Sequence, residues 1–168
     1  TSTPPVDNDC DGVFDEEDLD GGDLLITEIH ANPTGGATKE WFEIRNTTGN
    51  AIQMQNMRLE DDDGESYIIP DLIEVAAGAY AVLCRNATEA LTQGVVCANV
   101  SSWNGYSLSN STDEINIVAP CTDEVAPCTL GGDLDLDTVD YDGSWNFTNQ
   151  GVSMGFDPDA TQNESVNN

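Results

Sequence analysis

The run DNDCDGVFDEED, residues 7–18, gathers oxygen ligands at regular spacing. Asp7, Asp9 and Asp11 alternate, Gly12 follows, and Asp15 and Asp18 close the run. A hard divalent cation such as calcium takes roughly six to eight oxygens, mostly from carboxylates together with a backbone carbonyl. The D-x-D-x-D-G register lets one tight loop deliver them, because Gly12 permits the sharp turn and Val13 offers its carbonyl. The expected ligand set is Asp7, Asp9, Asp11, Val13, Asp15 and Asp18, with calcium as the ion. Asp18 stands where a helix–loop–helix calcium site carries Glu, and its shorter arm makes a weaker bidentate grip. No amphipathic helix precedes the run, so a helix–loop–helix arrangement is not expected. The alternative for the same residues is a solvated acidic linker.

Other chemistry-bearing residues are sparser. Strand alternation would put Asp133, Asp135 and Asp137 on one face, with Leu134 and Leu136 in the core. Like charges so placed repel unless separation, salt or a second cation relieves them. Asp61, Asp62, Asp63 and Glu65 surround Gly64 but lack the alternating register, and read as a solvated hairpin tip, with a second cation site as the alternative. His30 is the single histidine, and no G-x-S-x-G elbow accompanies it. It reads as a strand-end residue beside the Asn32-Pro33 turn. Trp41 with Glu43 could form a sugar-stacking platform. The expectation favoured here is that Trp41 packs in the core and Glu43 pairs with Arg45 or Arg58. Trp103, Tyr106 and Trp145 lie in loops, where they either contact a partner or cover the core rim. Glycoside hydrolysis needs a deep cleft with one perturbed acid. No carboxylate sits in an apolar run, so no catalytic residue is assigned and an enzyme is not expected.

Composition narrows the classes further. Asp and Glu number 32 against 4 Lys and Arg, a formal net charge of −28 over 168 residues. That surface repels nucleic acid and anionic lipid. It also repels itself, so bound cations or salt are needed to relieve the compact state. No apolar run approaches membrane-spanning length, and membrane insertion is not expected. The five cysteines form no C-x2-C pair, which disfavours structural zinc. Their spacing suggests two local disulfides, Cys84–Cys97 and Cys121–Cys128, and hence an oxidising compartment. Cys10 is left for an inter-module or inter-chain bond. N-x-S/T sequons at Asn46, Asn86, Asn99, Asn110, Asn146 and Asn163 fit a glycoprotein, or reflect turn composition. Extracellular or cell-surface placement follows as an expectation.

The elements that must position these residues are short. Residues 1–6 read as a Thr/Pro linker, 7–23 as the acidic loop ending in a flexible Asp20–Asp23 joint, and 159–168 as a polar tail. Between them, 24–158 alternates short apolar runs with turn residues. Strands are expected at 24–30, 41–46, 51–59, 67–70, 80–84, 95–98, 113–118, 134–141 and 152–156. Residues 86–93 hold at most one helical turn. About ten short strands in about 135 residues predict an all-β, two-sheet sandwich.

Residues 24–158 resemble the lamin-tail domain family in its secreted or surface prokaryotic form. The blocks that carry the resemblance are LLITEIHANP (24–33), EWFEIRNTTGNAIQMQNMRLED (40–61), YIIPDLIEVAAGAYAVL (67–83), LSNSTDEINIV (108–118) and GVSMGFDP (151–158). Asn56-Met57 stands where many members have Gly-Trp. The resemblance implies an immunoglobulin-like β-sandwich and no catalysis. Residues 7–18 separately resemble Asp-rich repeats of bacterial surface proteins and, more distantly, thrombospondin type 3 calcium repeats. The expected function is a calcium-stabilised structural or adhesion module of a larger exterior protein, or a subunit of an extracellular fibre. Its partners would be neighbouring modules or subunits, and a glycan or surface protein. The competing expectation is an accessory substrate- or glycan-binding domain of a secreted hydrolase.

Overall fold

The computed structural model describes residues 19–120, 133–144 and 149–155. Ten strands follow in chain order: β1 Leu24–His30, β2 Trp41–Asn46, β3 Ile52–Gln53, β4 Arg58–Glu60, β5 Ser66–Ile68, β6 Glu74–Val75, β7 Tyr80–Cys84, β8 Asp113–Pro120, β9 Asp133–Tyr141 and β10 Met154–Gly155. They form antiparallel sheets ordered β10-β1-β2-β7 and β5-β4-β8-β9, with the small pair β3-β6 alongside. The expected all-β sandwich is what the chain forms. Among the described residues no helix is long and apolar enough to cross a membrane.

Alternation places the core. On β2, Phe42 and Ile44 are fully buried while Trp41, Glu43 and Arg45 face outward and stay half-exposed. Facing them across the sandwich are Leu59, Ile115, Ile117, Leu136 and Val139. The inward residues of the two sheets thus supply one apolar layer, as burial of each sheet's apolar face requires.

The single strand expected at 51–59 is two. Asn56 adopts φ 71°, the left-handed region, and the Met57 amide closes a turn onto the Met54 carbonyl at 3.1 Å. Asn tolerates this conformation better than other non-glycine residues. Met57 beside it is completely buried. The departure from Gly-Trp is therefore conservative in physical terms: a turn-permitting residue, then an apolar plug.

No strand forms at 95–98. The Ala98 amide makes one bond to the Val82 carbonyl (2.8 Å), and the Asn99 side chain does the rest. Its Oδ1 accepts from the Cys84 amide at 2.8 Å and its Nδ2 donates to the Cys84 carbonyl at 2.7 Å, copying a strand pairing with one side chain. The expected Cys84–Cys97 disulfide forms and holds this segment against β7. Closing a loop of that length contributes roughly 3 kcal/mol by restricting the unfolded chain. The helical turn exists as a short helix, α1 Ala87–Leu91, with Asn86 Oδ1 capping the Thr88 and Glu89 amides at 3.1 Å each.

The sandwich begins before Leu24. Leu19 is 2 % exposed and belongs to the core. The segment expected as a flexible joint is pinned: Gly22 donates to the Leu136 carbonyl (2.7 Å), the Thr47 amide to the Asp23 carbonyl (2.9 Å), and Thr47 Oγ1 to the Gly22 carbonyl (2.7 Å). Gly22 has φ 95°, and a Cβ on Gly21 would lie 3.3 Å from the Asp135 carbonyl, so the glycines serve a turn packed on β9.

Candidate functional site

The loop ligands Asp7, Asp9, Asp11, Val13, Asp15 and Asp18, with Cys10, lie outside the described residues. So do Cys121, Cys128, Asn146, Trp145 and Asn163.

Asp133, Asp135 and Asp137 are not brought together. Asp133 pairs with Arg58 at 2.6 Å, and Asp135 accepts from Asn116 Nδ2 at 3.1 Å. Asp137 turns to the other sheet and accepts from the Ile26 amide at 2.7 Å. The cause is a bulge: Ile117 pairs with Asp137 but Val118 pairs with Asp135, so β9 carries an extra residue and its alternation changes phase. A bulge in β1 between Ile26 and Glu28, above which β10 does not reach, leaves the Ile26 amide for that carboxylate. The expected second cation thus has no shared coordination sphere here. Among the described residues no three His, Cys, Asp or Glu gather as a metal site.

The Asp61–Glu65 turn behaves as a hairpin tip. Asp61 Oδ1 accepts from the Glu65 amide (2.8 Å), and Glu65 Oε2 accepts from the Ser107 amide (2.9 Å). Two sequons are structural. Asn46 is fully buried and donates to the Asn50 and Val75 carbonyls at 2.7 and 2.8 Å; Asn99 is 3 % exposed and clamps Cys84. Neither amide nitrogen can carry a glycan without dismantling these contacts. Asn110 is exposed and Asn86 half-exposed.

Trp103 and Tyr106, open to either role in the sequence, belong to the core at 4 % and 1 % exposure. Trp103 packs on Phe42 with ring centroids 5.4 Å apart and edge-on to Tyr106 at 5.6 Å. Trp41, expected inside, stands outside instead. Its ring meets His30 at 5.3 Å on the outer face, while Glu43 takes the Thr27 hydroxyl at 2.8 Å and Arg58 engages Glu60 and Asp133.

Sequence reasoning missed Glu40. It is 1 % exposed, pairs with Arg85 at 3.0 Å and accepts from the Leu108 amide at 3.0 Å. It stands one residue before β2 in the parity of buried Phe42 and Ile44, which was the available signal; its charge pointed to the surface instead.

The titration pattern follows burial. Desolvation raises the carboxyls of Asp23, Glu40, Asp113, Glu114 and Asp137 above their ordinary values. Acids raised in the folded state bind protons more readily folded than unfolded, so stability falls as pH rises through their folded values. His30 opposes them: burial lowers its value, so its contribution shrinks as pH falls. Arg58 holds Asp133 low; at Asp71 desolvation is outweighed by bonds from Ser101 and Val100, and Ser144 lowers Asp142. These three lose their stabilising contribution only in stronger acid. Thermal melts at fixed ionic strength in EDTA are expected to show a higher Tm at pH 5 than at pH 7.5, then a decline below about pH 4. A Tm that falls steadily from pH 7.5 to 5 contradicts this.

At the His30 end of the outer face lies an open cavity of about 340 Å³, lined by His30, Thr34, Trp41, Gln93, Val95 and Ser153 among others. Gln93 Nε2 donates to the Thr34 carbonyl (2.6 Å), and Ser153 Oγ to Glu28. His30 Nδ1 is buried with no hydrogen-bond partner.

The two packed antiparallel sheets define an immunoglobulin-like β-sandwich class. The family model for the Lamin Tail Domain matches residues 19–146, and the chain belongs to that family. The match begins at Leu19, the first described core residue. Searches of curated proteins and of solved structures found no match.

Proposed function

We propose that the chain is a non-enzymatic, calcium-stabilised structural or adhesion module of a larger extracellular or surface protein. The observation that carries this reading is the D-x-D-x-D-G register of residues 7–18, ending one residue before buried Leu19. Calcium there neutralises part of a net charge of −28 at the point where the chain enters the core. Membership of a non-catalytic family and the Cys84–Cys97 bond support the same reading, the latter because such bonds persist in oxidising compartments. Neighbouring modules or subunits are the natural partners, and Cys10 is the residue that could join them covalently.

The test is a calcium titration followed by thermal melts, with magnesium as control. Calcium at about a hundred times its Kd stabilises by about 2.7 kcal/mol. The Tm is expected to climb with calcium and not with magnesium, and the double variant Asp9→Asn, Asp11→Asn is expected to lose the response. Equal responses in variant and parent defeat the proposal. Intact mass of the same sample reports thiols and glycans, with any glycan expected at Asn86 or Asn110 rather than Asn46 or Asn99 among the described sequons.

A further inference from the structure

Trp41 is the observation that the proposed module leaves unused. Its strand neighbours Phe42 and Ile44 satisfy the core, so the indole is not needed there. It stands on the face of β1 and β2 that turns away from the other sheet, at the wall of the 340 Å³ cavity. The C-terminal side of α1 brings Gln93 and Val95 to one side, the β1–β2 connection brings Thr34, and the approach to β10 brings Ser153. Three separate chain segments therefore meet around one aromatic plane.

We propose that this cavity is a binding site for a neutral pyranose ring, stacked on Trp41. The volume lies at the small end of ligand pockets, suited to one sugar unit with its neighbour left in solvent. One aromatic wall with a few neutral hydrogen-bonding groups suits a ring whose faces are C–H and whose edge is hydroxyl. Thr34, Gln93 and Ser153 are such groups, and the Gln93–Thr34 bond fixes the amide in place. Among the described residues no carboxylate and no Lys or Arg lines the cavity, which favours neither a cation nor an anion. Ser153 holds the nearby Glu28 carboxylate by a hydrogen bond. The site as described uses residues of the sandwich and its loops.

The probes are methyl glycosides of glucose, galactose, mannose and N-acetylglucosamine, titrated to 50 mM and followed by 1H–15N NMR. At least one is expected to give saturable shifts at the Trp41 indole and the Gln93 amide, with the buried Trp103 indole unmoved. Affinity on the order of 1 mM is expected for so small a ligand in an open site. Trp41→Ala should abolish the response, and the exposed-site variant Gln93→Ala should weaken it at least threefold. If Trp41→Ala does not fold, Gln93→Ala decides the matter alone. No saturable shift with any glycoside overturns the proposal. So does binding unchanged in the folded variants, or saturation by tetramethylammonium and not by a glycoside.

Discussion

Replacing Trp103 with Ala is expected to destabilise the domain by about 3–5 kcal/mol, the range for truncating a large core aromatic. In Tm this is a loss on the order of 10 °C or more. Trp103 comes from a loop rather than a strand, yet it roofs the core between Phe42 and Tyr106. Its own amide is fixed on the Arg85 carbonyl at 3.0 Å, so the loop is ill placed to collapse into the space left behind. The comparison is Trp41→Ala, which removes an equally large ring from the outer face and leaves the core intact. A Tm within about 3 °C of the parent is expected there, in keeping with substitutions away from the core. Equal losses in the two variants would contradict the assignment of one indole to the interior and the other to the surface.

The second large effect belongs to Glu40. Glu40→Ala is expected to cost about 2–4 kcal/mol, whereas Glu40→Gln should cost under about 1.5 kcal/mol. The ion pair with Arg85 is the smaller part, because the Arg85 side chain is 29 % exposed and can turn its charged head to water once Glu40 is gone. The larger part is the Leu108 amide, whose buried N–H loses its acceptor in the Ala variant and keeps one in Gln. Gln also removes a carboxylate that burial disfavours in its charged form. Urea denaturation of both variants checks this. If Gln proves as damaging as Ala, charge pairing and not acceptor geometry is what holds the Leu108 segment.

Much of the sandwich was legible because its strands alternate cleanly. WFEIRN and YAVLC carried enough apolar pattern to place β2 and β7 at their observed bounds. Alternation failed where another force overrode it. The β9 bulge shifts Asp137 out of line with Asp133 and Asp135, and nothing in LDLDTVDY marks the extra residue. Residues 95–98 look like a strand, but a disulfide and one Asn side chain hold them instead. Asn46 and Asn99 read as glycan acceptors because a sequon is a local pattern, whereas burial is set by distant carbonyls. At Trp41 the parity was legible, and the preference for burying aromatics pointed the wrong way. The sequence put Trp41 with Glu43 and opposite Phe42 and Ile44. Only one face of β2 could be inside, and Phe42 with Ile44 took it.

The seam between Leu19 and Ile26 has a mechanical consequence. A pull on the chain at Leu19 does not first straighten slack, because the Gly22–Leu136 and Ile26–Asp137 bonds tie this stretch to β9. Thr47 grips it from the side of β2. Tension entering there is shared between both sheets at once, so these bonds must yield together rather than unzip in turn. Force applied at Leu19 would therefore reach both sheets of the sandwich before any single strand peels away.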